Sequence, residues 1–322
     1  MPQPIAMPPD WRADDLFTNF AALLNQRAAR VENDKAEPAI SAARLSLEPY
    51  PHFFARSVLS ATDLEEMRRH WPSNSAFTPE GYNAGVWVCQ LVNDHRLAMS
   101  LIKNPELRHF WREFMRQRLP RILAATVRHY QGLLGARFGS ALTELRITNL
   151  FLMEVRDGYV PHSVHTHHSH SPHWLFTNLI YVDDDGAPSR GTVMHWFNDE
   201  KVWEDSDLAA DCALNFDENH YHRLSGKGNQ PSFQVAKQIP FEPGAMFSFY
   251  ETQVSFHAGP STENASARGA RRIIRLHVAA PPSLVSQVRD RAFVKSEIDA
   301  LKRALAAAHS DQPLSLNIPP LT

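Results

Sequence analysis

Two cysteines in 322 residues, Cys89 and Cys212, are too few and too far apart for a disulfide framework or a paired-thiol metal site. That usage fits an intracellular protein with reduced thiols, so a cytoplasmic location is the expectation. No apolar run approaches the roughly 18 residues of a membrane span. The opening MPQPIAMPPDWRADD has neither the basic nor the apolar region of a secretion signal. An excess of one charge is missing too: 33 basic and 35 acidic residues leave a formal charge of −2. No long-range field therefore selects nucleic acid or anionic lipid, and neither is an expected partner. What is present is 43% hydrophobic content, enough for a substantial core.

Periodicity divides the chain into helices followed by strands. LFTNFAALLNQRAARV (16–31) has helical spacing, and ENDKAEPAISAAR reads as a polar linker. In HFFARSVL (52–59) a short apolar run precedes a helix carrying Leu64, Met67 and Trp71; Thr62, with Glu65 and Glu66 behind it, marks the expected start. GVWVCQLV (85–92) is strand-like. NPELRHFWREFMRQRL (104–119) has Asn104 as cap and Pro105 in its first turn, and a second helix is expected after Pro120. From about 145 the chain changes to short β-rich runs separated by turn residues: ELRITNLFLMEV, WLFTNLIYV, GTVMHWF, SFQVAKQIPF, GAMFSFYE, VSFHAG and RRIIRLHVAA. That pattern predicts an antiparallel jelly roll. Residues 283–309 return to helix, so the expected class is α+β.

The densest chemistry lies in PHSVHTHHSHSPHW, which places six histidines within residues 161–174. On a strand, residues i and i+2 share a face, about 6.6 Å apart, and two imidazoles so placed can converge on one cation. Two pairs qualify: His168/His170, the preferred pair, and His165/His167, the alternative. Their parities are opposite, so only one pair faces inward on a continuous strand. His257, at the end of a later β-run, is the candidate third ligand. Two ligands from one strand end and one from a distant strand is the layout of a mononuclear non-haem iron site with open positions.

Four stretches together resemble the 2-oxoglutarate- and Fe(II)-dependent oxygenases, which are built on a double-stranded β-helix. PYPHFFARSVLSATDLEEMRRHWP is similar to their proline-flanked entry strand and helix. HSHSPHWLFTNLIYV (168–182) resembles their HTDxPHK segment with its following strand. RGTVMHW looks like the next Gly-Thr strand, and IPFEPGAMFSFYETQVSFHAG (239–259) the strand pair bearing the distal histidine. The resemblance covers residues 47–281 and implies an oxygenase-like domain over 47–309, with β core 145–281. It is preceded by a helix and linker (1–46) and followed by a tail (310–322). It implies Fe(II), O2 and 2-oxoglutarate acting on a small organic molecule.

The chain departs from that family at one position. The motif aligns His168 and His170 with His-x-Asp, so an imidazole stands where the carboxylate ligand belongs; the pair His165/His167 has the same departure. Glu154 and Asp157 precede the cluster but do not occupy the motif. A neutral ligand leaves one more positive charge on the iron, and three-histidine sites in cupin-like enzymes activate O2 without 2-oxoglutarate. Both modes stay open, as does a jelly roll that binds metal without turnover.

The resemblance also implies an arginine on the last core strand that grips the co-substrate's far carboxylate in a bidentate pair. In RRIIRLHVAA, Ile274, Leu276 and Val278 form one face; Arg271, Arg275 and His277 form the other, which suits a polar cavity. Arg271 and Arg275 are the candidates. Thr177 and Trp196 are the candidate substrate contacts, and residues 215–226 sit where an insertion covers such a site.

Overall fold

The computed structural model describes residues 36–81, 85–93, 96–138, 142, 145–156, 164–167, 173–183, 190–197, 233–251, 255–259, 271–281 and 283–284. The expected helix at 16–31, residues 215–226 and most of the expected C-terminal helix lie outside them.

Eleven strands are described: β1 (His52–Ala55), β2 (Thr78–Pro79), β3 (Val86–Asn93), β4 (Arg96–Leu97), β5 (Arg146–Val155), β6 (Trp174–Asp183), β7 (Arg190–Phe197), β8 (Phe233–Pro240), β9 (Met246–Tyr250), β10 (His257–Ala258) and β11 (Arg271–Ala279). The larger sheet runs β1-β9-β6-β11-β5-β3-β2, with β4 paired to β3; the smaller runs β10-β7-β8. An isolated antiparallel bridge between His165 and His257 extends the smaller sheet past β10. From β5 onward, the chain crosses from one sheet to the other in the order of a double-stranded β-helix. β5 is in the large sheet and the His165 bridge in the small one. β6 returns to the large sheet, β7 and β8 fill the small one, and β9, β10 and β11 alternate between the two. The jelly roll expected from the β-rich runs is therefore the observed architecture.

Two apolar layers follow from strand alternation. On the outer face of the large sheet, Leu150, Leu152, Phe176, Ile180, Ile274, Leu276 and Val278 pack on helical residues such as Ile122, Leu123 and Val127. Between the sheets, Phe151, Met153, Tyr181, Met194, Ile239, Phe247, Phe249 and Ile273 form a second cluster. Fully burying an aliphatic or phenyl side chain contributes about 1.5–3 kcal/mol, so these layers fix which face of each strand points inward. The division of β11 read from parity is the one observed.

The helices depart from expectation in three places. The helix Ala61–Arg69 is capped by Ser60, not Thr62: Ser60 Oγ accepts from Asp63 N at 3.1 Å while Asp63 Oδ2 accepts from Ser60 N at 3.0 Å. Asp63 thus plays the reciprocal role for which Glu65 and Glu66 were expected. The helix Pro105–Glu113, capped by Asn104, continues through a π-type turn, Phe114–Arg118, into Leu119–His129. Pro120 therefore lies in a first turn where its missing N–H costs little, instead of interrupting the chain. Finally, the supposed linker contains a helix, Ala36–Ala42, whose Ala36 and Ile40 are buried in the helical layer.

Candidate metal centre

The backbone creates the site before any side chain acts. His165 and His257 face each other across an antiparallel pair and exchange both backbone hydrogen bonds, at 3.0 and 2.9 Å. Directly opposed residues project to one face of a sheet, and these two ring centroids lie 4.5 Å apart. His167, two residues on from His165, brings its ring to 5.4 Å from His165 and 4.6 Å from His257. One ligating nitrogen from each of the three lies within 4.8 Å of the others. His168 and His170, the pair aligned with the motif, lie outside the described residues.

The outer nitrogens of two rings are held. His257 Nδ1 lies 2.9 Å from the Ser255 carbonyl oxygen, and His167 Nδ1 lies 2.8 Å from Glu251 Oε1. Carbonyl and carboxylate oxygens only accept, so each Nδ1 carries the proton and each Nε2 the lone pair. This arrangement fixes ring orientation in metal-ligating histidines.

Glu251, directly after β9, is fully buried. Besides His167 it accepts from Thr177 Oγ1, and from Ser255 Oγ at 3.3 Å. Beside it, His277 stacks flat on Trp174 at 3.7 Å and lies edge-on to His167 at 5.3 Å. Burial first, then the electrostatic influence of its neighbours His167, Arg275 and His257, holds the His277 pKa well below that of free imidazole. It is a neutral wall and adds no charge to the cluster.

The three histidines open onto a cavity of about 120 Å³ between the sheets. Its apolar lining includes Val86, Met153, Leu179, Phe241, Phe249 and Ile273; its polar lining includes Thr177, Tyr181, Thr192, Glu80, Arg271 and Arg275. Arg275 Nη2 donates to Glu80 Oε1, and its guanidinium stands 4.8 Å above the Phe151 ring. Arg271, 5% exposed, stands 5.9 Å above Phe241. Tyr181 stacks on Phe241 at 4.3 Å, and burial pushes its phenol pKa up, so it remains a neutral donor.

The other candidates read from the sequence lie within the described residues. Arg271, Arg275 and Thr177 line the cavity, whereas Trp196, 37% exposed on β7, is not part of its described lining. Glu154 points to the opposite face of the large sheet, where it accepts from Trp71 Nε1 at 2.9 Å and Arg156 Nε at 2.8 Å. Glu251 was not singled out from sequence. The available signal was an acid immediately after the wholly buried aromatic run MFSFY, six residues before His257.

No protein-family model matches the chain, and no curated protein does. Solved structures do resemble it. An oxidoreductase of the 2OG-Fe(II) oxygenase family from Burkholderia pseudomallei is 10% identical, covering 78% of this chain and 93% of its own, at a TM-score of 0.41. A prolyl-4-hydroxylase from Pseudomonas putida is 11% identical over 76% and 99% of the two chains, at 0.40. A non-heme alpha ketoglutarate dependent carbocyclase from nogalamycin biosynthesis is 12% identical over 78% and 85%, at 0.43. These are distant likenesses. The reading of the site stands on its own residues.

Among the described residues, no helix is long and apolar enough to cross a membrane.

Proposed function

We propose that the protein is a mononuclear non-haem Fe(II) oxygenase in which His165, His167 and His257 hold the metal. The observation that carries this reading is the convergence of three imidazole nitrogens within 4.8 Å at the mouth of a cavity between two sheets. Two of those rings have their tautomers set so that Nε2 carries the lone pair. Neutral nitrogen donors suit a divalent first-row metal, and three of them leave coordination positions for other ligands. When bound, Fe(II) supplies the means to activate O2 for oxidation of an organic molecule.

The remaining roles fall to the chain's own groups. Two arginines in one small cavity favour an anionic co-substrate, for which 2-oxoglutarate is the candidate. Arg271 and Arg275 are both candidate anchors, and Arg275 also pairs with Glu80. Tyr181 and Thr192 line the same cavity and can donate to a carboxylate. The apolar walls contributed by Phe241, Val86, Met153 and Leu179 exclude water and fit a small organic substrate.

One observation favours a second reading, oxidation by O2 without 2-oxoglutarate: among the described residues, the clustered ligand set contains no carboxylate. Fe(II)-loaded protein, assayed for O2 uptake with and without 2-oxoglutarate, separates the two. Consumption of 2-oxoglutarate with formation of succinate supports the first. Uptake indifferent to it supports the second, and metal binding without turnover of any substrate tried would oppose both.

A further inference from the structure

A fully buried carboxylate normally needs a buried cation. Removing such a charge from water costs several kcal/mol, which good partners must offset. Glu251 is 0% exposed, yet no arginine or lysine among the described residues is ion-paired with it. Its donors are two hydroxyls, Thr177 Oγ1 and Ser255 Oγ, and one imidazole nitrogen, His167 Nδ1. The hydroxyls satisfy lone pairs but supply no net charge. Among these described donors, only His167 connects Glu251 to a place where positive charge can appear, the cluster on the far side of the same ring.

We propose that Glu251 is a positioning residue for the metal: it locks His167 with Nε2 toward the cluster and supplies, one imidazole removed, the negative charge missing from the ligand set. This inference rests on reading His165, His167 and His257 as ligands. The oxygenase pattern puts its anion on the metal directly; here the anion sits behind a neutral ligand. The sum of charges over the site is then the same, while its distribution differs. A carboxylate accepting from the outer nitrogen makes an imidazole a stronger donor, and removing such a partner typically weakens metal affinity 10–100-fold. The two hydroxyls also fix the carboxylate in place. Thr177 and Ser255 approach Glu251 from β6 and from just before β10, and hold it at the height of His167.

The test uses the full chain, freed of metal and titrated with Fe(II) without oxygen, as wild type, Glu251→Gln and Thr177→Val. Glu251→Gln keeps the size of the side chain and an accepting oxygen but removes the charge. The expected result is 10–100-fold weaker Fe(II) binding and a higher Fe(III)/Fe(II) potential. The metal-free melting temperature should be unchanged or raised, because a buried charge is gone. Thr177→Val, nearly isosteric, should weaken binding about threefold by loosening Glu251, and it decides the matter if Glu251→Gln does not fold. A merely structural Glu251 predicts the reverse: a lower metal-free melting temperature with unchanged affinity and potential. That outcome overturns the proposal and leaves the metal centre standing. Failure of the wild type to bind Fe(II) overturns the metal reading itself, and this inference with it.

Discussion

His165 and His257 sit ninety-two residues apart in sequence and directly opposite one another in the smaller sheet, exchanging backbone hydrogen bonds at 3.0 and 2.9 Å. Their rings meet at 4.5 Å because opposed residues on neighbouring strands share a face. The metal reading depends on that pairing, since it turns a local pair of histidines into a three-sided cluster.

The first prediction concerns the family pattern. Converting His167→Asp places a carboxylate where the oxygenase motif expects one in the alternative register His165/His167, but against Glu251. Two acids this close cannot both stay ionised easily. His167→Asp alone should therefore bind Fe(II) weakly. Adding Glu251→Gln should restore binding by about tenfold or more, the mark of coupling between contacting residues. Calorimetric titration of the two singles and the double checks this; strictly additive losses would show that the acids do not interact.

Arg271 and Arg275 should separate in function. Replacing whichever arginine anchors 2-oxoglutarate, by Arg271→Gln or Arg275→Gln, should weaken its binding about 10–100-fold, the scale of a charge-assisted pair. Arg275→Gln should in addition lower stability, because it breaks the pair with Glu80. Equilibrium binding and urea unfolding of the two variants distinguish these roles.

Glu154 provides a contrasting buried acid. It accepts from Trp71 and Arg156 on the helical side of the sheet, with Arg272 3.5 Å away. Glu154→Ala should cost on the order of 2–3 kcal/mol by leaving those donors unmatched, with Fe(II) affinity unchanged in the folded protein. Denaturant unfolding and metal titration on the same sample check both halves.

Stability should fall on mild acidification. Burial, assisted by Lys237 and opposed by the hydrogen bond to the Tyr50 carbonyl, brings the His52 pKa down from 6.5 to about 4. Between those values the unfolded chain binds a proton that the folded one refuses. The stabilisation is therefore whole above pH 6.5 and is lost as pH falls toward 4, up to on the order of 3 kcal/mol. His129, also depressed by burial, acts in the same direction. His52→Gln should flatten this acid limb in melting curves recorded across the window.

Much of the fold was legible because strands with one buried face carry period-two patterning. All seven β-runs from ELRITNLFLMEV to RRIIRLHVAA contain observed strands, and β11 points Arg271 and Arg275 into the cavity as parity required. What failed was local. Pro120 reads as a stop, yet it lies in the first turn of Leu119–His129, which follows the π-type turn directly. Ala36–Ala42 looks polar in isolation, since its two buried residues gain meaning only from the helix they cover. For the site, the sequence named His257 with His168 and His170, and His165 with His167 as the alternative pair; His168 and His170 lie outside the described residues. Spacing alone did not choose between the pairs, because both have i, i+2 parity. Among the described residues, it is His165 that stands in register with His257. Glu251 escaped for a similar reason, since its partners Thr177 and His167 come from two other segments.

The most direct test is stoichiometric Fe(II) binding by the His165→Ala/His167→Ala double variant, set beside His168→Ala/His170→Ala. The account predicts about one iron per chain in the wild type and in the second variant, and loss of binding by at least about a hundredfold in the first. Iron retained by the first and lost by the second would contradict it, and would move the metal to the other pair.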